Sequence, residues 1–287
     1  MTINTQLSLL VFCSLALSAA DSGAQFPIRD HGLWGYMDAA GKITIKPAYQ
    51  DALDFSDGLA PVKIGGNYGY IDSKGKVVLA PQFDEARFFH HGIAPVRKGK
   101  LWGYVRSTGE FAIPLQFEIA RSFQDDVARV SIGGHWGYIG FDGKFIIPLR
   151  FDGSNGFNEE LAPVQVGNLW GFIDKQGKFA IQPRFELANS FGEGLAEVKV
   201  DGKYGFVDKS GKIVIRAHFD DAGEMSEGLA PVRVGTKWGF ISPKGAFLIS
   251  PAYDVAQHFN DGLAQVEIDK RMAYINHTGK IVWEEPK

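Results

Sequence analysis

Apolar positions along this chain alternate with polar ones instead of recurring at helical spacing. Val62 and Ile64 flank Lys63, and Val232 and Val234 flank Arg233, the period-two pattern of a strand with a buried face. The runs are short. Leu59 to Ile64, Asn67 to Asp72 and Val77 to Pro81 are rich in Val, Ile and Tyr, and Gly65-Gly66 and Ser73-Lys74-Gly75-Lys76 separate them. This predicts strand, hairpin, strand, hairpin, strand. A repeat of paired helices needs stretches of ten or more residues free of Gly and Pro, and here one of the two interrupts the chain almost every ten residues.

The pattern repeats with a fixed period. Gly35, Gly69, Gly103, Gly137, Gly171, Gly205 and Gly239 are spaced by 34 residues, and Ala273 continues the series. Each follows a large side chain: Trp34, Tyr68, Trp102, Trp136, Trp170, Tyr204, Trp238 and Met272. An unbroken period of this length means one supersecondary unit stacked many times. The chain therefore reads as all-β, with eight 34-residue hairpin or meander units over residues 25–287, the last truncated. An open solenoid or superhelix is expected. The alternative is a closed, propeller-like ring, for which 34 residues is short beside the ~40 or more of an ordinary four-stranded blade.

Within the unit, three further series stand out. A turn glycine recurs at Gly41, Gly75, Gly109, Gly143, Gly177, Gly211, Gly245 and Gly279, where positive φ is expected. Asp38, Asp72, Asp174 and Asp208 start several of these turns and are expected to cap them. The glycine after the aromatic has two readings, a bulge or room for a ring from the adjacent unit. The connector between units runs aromatic, acid, then Ala, then Phe, as in Phe83-Asp84-Glu85-Ala86 with Phe89. It suggests a single helical turn with an acidic cap and a Phe that plugs the gap between units. Ala60, Ala94, Ala128, Ala162, Ala196, Ala230 and Ala264 mark a position where nothing larger fits.

The elements Trp170-Gly171-Phe172-Ile173-Asp174, Gly177-Lys178 and Phe83-Asp84-x-Ala86 resemble the WG-repeat (KWG-repeat) proteins of bacteria, over residues about 27–284. The resemblance implies a β-repeat interaction module, often exported.

Residues 1–24 stand outside the repeat. Leu7 to Ala20 is apolar and is followed by small residues, the pattern of a secretory signal peptide. It is too short to favour a membrane span. Cys13, the only cysteine, lies inside it, so the mature chain would carry no disulfide. A net charge of −3 gives no case for nucleic acid, and no integral membrane span is expected after cleavage.

No catalytic, metal or cofactor motif stands out, and His90-His91 is the only histidine pair. Two rows could bind. One is the outward stripe Arg29, Lys63, Arg97, Lys199 and Arg233; the other is the ring row Trp34, Trp102, Trp136, Trp170 and Trp238. The competing roles are a solubilising edge and inter-unit core. The middle of the array is irregular: Arg129 replaces the usual Pro, and Gly153-Ser154-Asn155-Gly156 replaces the Ala-bearing connector. Breaks in a consistent pattern are where function or a bend is sought. The expectation is a non-enzymatic, exported scaffold, periplasmic or extracellular, that binds a protein or peptide. A carbohydrate or cell-wall binding module is the alternative, and no cofactor is expected.

Overall fold

The structure, a computed structural model, describes residues 25–38, 40–124 and 126–285. The signal peptide expected at residues 1–24 lies outside the described residues. The described residues form strands, turns and bends with no helix, arranged as eight small antiparallel sheets in chain order. Sheet 1 (25–49) has three strands; sheets 2 to 8 (51–83, 85–117, 119–151, 153–185, 187–219, 221–253 and 255–284) have four. In sheet 2 a two-residue strand, Asp51–Ala52, pairs with Leu59–Ile64, which pairs with Asn67–Asp72, which pairs with Val77–Phe83. No sheet closes on itself, and the whole is an open, solenoid-like succession. Among the described residues, sheets 1 and 8 share no packing cluster and no side-chain hydrogen bond.

Each of sheets 2 to 7 is buried on both faces in its middle strands, because it lies between two neighbours. Tyr70, Leu79 and Phe83 on one face of sheet 2 pack against Ala86, Ala94, Val96 and Val105 of sheet 3, with Phe89 between them. The rings of Tyr70 and Phe89 sit edge to face, 4.7 Å between centroids. Phe89 thus fills the joint between units, as its place in the repeat predicts. The alanine series is fully enclosed, from Ala60 to Ala264. Burying one such large apolar side chain is worth about 1.5–3 kcal/mol, so the interface between neighbours, not the lone sheet, carries the stability.

The turn glycines hold positive φ, for example +78° at Gly75, and Asp72 Oδ1 accepts from the amides of Lys74 and Lys76 across that turn. The glycine after the aromatic marks a bulge. Tyr68 pairs with Phe83 and Tyr70 with Leu79, so Gly69 faces three residues of the third long strand. A Cβ on Gly69 would lie 2.4 Å from the Leu79 carbonyl oxygen. The space is taken by backbone of the same sheet, not by a neighbouring ring.

The connector differs from its expected form. No helical turn follows the acid; a bend sits at the acid and a short strand, two residues long in most connectors, follows it. The acid caps a hairpin further along the chain: Asp84 Oδ2 accepts from the Gly99 amide at 2.6 Å, and Asp152 and Asp220 do the same for Gly167 and Gly235. A second set of acids sits at the connector tip with left-handed backbone, Asp57, Glu159, Glu193 and Glu227 near φ +50°. Each accepts from a glycine amide one unit on, at Gly92, Gly194, Gly228 and Gly262. The cost of the left-handed backbone, on the order of 1–2 kcal/mol, is offset by a charge-assisted hydrogen bond.

Candidate functional site

The two predicted rows form one ladder. Strand pairing sets each cation directly across from its ring, Arg29 opposite Trp34, Lys63 opposite Tyr68, Arg97 opposite Trp102, Lys199 opposite Tyr204 and Arg233 opposite Trp238. Arg29 lies 5.8 Å from the Trp34 centroid, Lys63 5.3 Å from Tyr68, Lys199 5.3 Å from Tyr204 and Arg233 5.9 Å from Trp238, within cation–π range. Arg97 instead pairs with Glu85 at 2.7 Å, and Arg87 takes the Trp102 ring at 4.9 Å. Trp102 is 5% exposed, and Trp34, Trp136, Trp170 and Trp238 are half-buried against the inter-sheet clusters. The rings act in packing and as seats for cations.

A different region gathers the irregular residues. The connectors of sheets 4 to 7 line a cleft of about 390 Å³, walled by Gln124, Arg129, Asn155, Asn158, Ser190 and Glu224. The period explains the convergence: Gln124 and Asn158 are one repeat apart, as are Ser190 and Glu224, so stacking brings equivalent positions alongside one another. A hollow of about 50 Å³ beside Gln265 and Met272 holds little beyond water.

Arg129 stands where five of the eight units have Pro. Its Nη1 donates to the Ser154 carbonyl and to Asn155 Oδ1, the latter at 3.1 Å, and its guanidinium lies 5.7 Å from the Trp136 centroid. The two departures noticed in the sequence, Arg129 and Gly153 to Gly156, therefore meet. Gly156 is tight because a Cβ there would strike Gln124 Oε1 at 1.9 Å.

Glu224 is the one acid among the described residues that line the cleft, and the buried Glu197 lies close to it. Glu197 also replaces the usual Pro and is 5% exposed. Burial pushes its carboxyl up to about 7, the Asn189 hydrogen bond lowers it, and the charges of Glu224 and Asp221 raise it. Asn189 Nδ2 donates to Glu197 Oε1, while Oε2 is buried without a partner. Glu224, Arg87 and Arg121 stand at positions that vary from unit to unit and look ordinary in the sequence, whereas Glu197 is marked as a break in the Pro series. Among the described residues no group of three His, Cys, Asp or Glu side chains is placed to hold a metal.

The model of the WG containing repeat matches seven times in succession, at 34–68, 68–102, 102–135, 136–170, 170–204, 204–238 and 238–271. The chain belongs to the WG-repeat family. No curated protein matches this WG-repeat chain. Among solved structures it is similar to a eukaryotic initiation factor, with TM-score 0.62 and 10% identity over 92% of this chain and 85% of that one. It is also similar to the dihydro-heme d1 dehydrogenase NirN in complex with DHE, with TM-score 0.54 and 11% identity over 91% of this chain and 72% of that one. At such identities the WG-repeat array shares a fold with them and nothing further. Among the described residues no helix is long and apolar enough to cross a membrane.

Proposed function

We propose that this WG-repeat protein is an exported, non-enzymatic scaffold that binds a protein or peptide segment in the cleft formed by the connectors of sheets 4 to 7. The observation that carries this reading is convergence. The array is regular where it packs, and its departures at Arg129 and Gly153 to Gly156 meet in one cleft whose far wall holds Glu224. Cationic and acidic walls joined by amides and hydroxyls suit a polar main chain, which offers both donors and acceptors. Export rests on the apolar leader pattern at residues 1–24, and the non-enzymatic role on the absence of a reactive motif in the sequence.

The test pairs affinity capture from the native cell envelope with a cleft-filling variant. Asn158 is an exposed part of the cleft wall, so Asn158→Trp should fold normally by circular dichroism and lose the captured protein. Undiminished capture by this variant would end the cleft reading. Selective binding to a polysaccharide, abolished by substituting Trp238, would replace it with the carbohydrate one.

A further inference from the structure

We propose that Arg87, Arg121 and Arg129 form an oxyanion site that takes a carboxylate of the bound peptide, an inference that rests on the cleft reading above. The stack brings these residues together. The Arg121 amide donates to the Arg129 carbonyl at 3.1 Å, placing the two side by side in sheet 4. Arg87 occupies in sheet 3 the connector position that Arg121 occupies in sheet 4, one repeat earlier, and adjacent sheets pack directly. Other units hold Leu53, Asn155, Asn189, Gly223 or Gln257 at that position.

Three half-buried guanidiniums are costly unless something answers their charge. Among the described residues none of the three forms an ion pair, since the nearby Glu85 is engaged by Arg97. The Nε atoms of Arg87 and Arg121 are buried without a hydrogen-bond partner. Only Arg129 has its Nη1 committed, to Ser154 and Asn155. Burial and mutual repulsion hold Arg87 and Arg129 below the usual arginine range. The guanidiniums of Arg87 and Arg129 lie 4.9 and 5.7 Å from the ring centroids of Trp102 and Trp136, seats that restrain them. Oriented, unanswered guanidinium forks match the two oxygens of a carboxylate. The ligand's carboxylate comes either from a free C-terminus or from an Asp or Glu side chain, and the chemistry is the same.

The experiment titrates the full chain at low salt with acetyl-Gly-Gly-Gly, its amide, and acetyl-Gly-Asp-Gly amide, read by calorimetry. At least one carboxylate peptide should bind while the neutral amide does not, and the preferred one identifies the source. Arg87→Gln and Arg121→Gln should each weaken binding roughly tenfold or more, the scale of one charged hydrogen bond. Without peptide, Arg121→Gln should melt no lower than the parent, because it removes repulsion. Equal binding of all three peptides, no binding of either carboxylate, or unchanged affinity in both variants would overturn the site. A melting temperature that drops in both variants without peptide would do the same, showing that the arginines serve folding. An envelope partner lost on Asn158→Trp but retained by both arginine variants would sink the oxyanion site and leave the scaffold reading standing.

Discussion

The Tyr70 hydroxyl donates to the carbonyl of Arg87, 2.7 Å away in the connector of the next sheet. Tyr36, Tyr104 and Tyr138 make the same bond to Leu53, Arg121 and Asn155, whereas Phe172, Phe206 and Phe240 hold that place in the later units. The bond ties a core ring to the next connector, and those from Tyr104 and Tyr138 reach the connectors of sheets 4 and 5 that border the cleft. Tyr70→Phe should leave a carbonyl without its partner and cost about 1–2 kcal/mol, read as a lower midpoint in urea denaturation. An unchanged midpoint would show that the connector finds water instead.

Two glycines one turn apart should respond very differently to alanine. At Gly75 the strain is that of positive φ, roughly 1–2 kcal/mol, with the Ile45 side chain of sheet 1 close by at 3.2 Å. At Gly69 a methyl would enter the backbone of the third long strand, 2.4 Å from an oxygen and 2.8 Å from the Pro81 nitrogen. Backbone cannot move aside as a side-chain tip can, so Gly69→Ala should cost about 3 kcal/mol or more. Equal losses of stability in the two variants would contradict the bulge as the reason for the aromatic-Gly motif.

Stability should fall as pH rises from about 4.5 to about 7 because of Glu197. Its carboxyl titrates at about 7 in the fold against an ordinary value of 4.5. The folded state therefore binds the proton more tightly than the unfolded state. The benefit is complete below pH ~4.5 and lost as pH rises through ~7. Glu197→Gln should flatten this part of the profile and stabilise the protein at pH 8 by on the order of 2–3 kcal/mol. A parent and variant with parallel pH profiles from 5 to 9 would refute it.

Substitution along the ring row should follow burial. Trp102→Ala removes a buried side chain and its seat for Arg87, at about 3–5 kcal/mol. Trp238→Ala removes a half-buried ring, at roughly 1–2 kcal/mol. Thermal denaturation of the two variants decides the ordering, and the reverse ordering would mean that the row is held by something other than inter-sheet packing.

Much of the fold was legible because it is either local or periodic. Alternation at Val62 and Ile64, the turn at Gly75 and the enclosed Ala60 each depend on a few residues repeated many times. The connector was misread for a physical reason. An acid followed by Ala and Phe looks like a capped helical turn, but Asp84 bonds an amide at Gly99, beyond an intervening strand, and nothing local announces that. The motif glycine likewise answers to a strand ten residues on. The site was legible only in part. Arg129 and Gly153 to Gly156 were visible as departures from the unit, whereas Arg87 and Arg121 look like ordinary polar connector residues until stacking sets them beside Arg129.

The ladder of tip acids has a consequence at the place where it is interrupted. Asp57, Glu159, Glu193 and Glu227 each carry a negative charge to their joint, but the matching residue in the connector that holds Arg87 is His91. Its ring packs edge-on to Phe141 at 5.5 Å, an apolar clasp in place of an ionic one. The substitution leaves that connector without a tip acid, and its Glu85 is already taken by Arg97. At Arg87 the array thereby omits a charge that a ligand's carboxylate would supply.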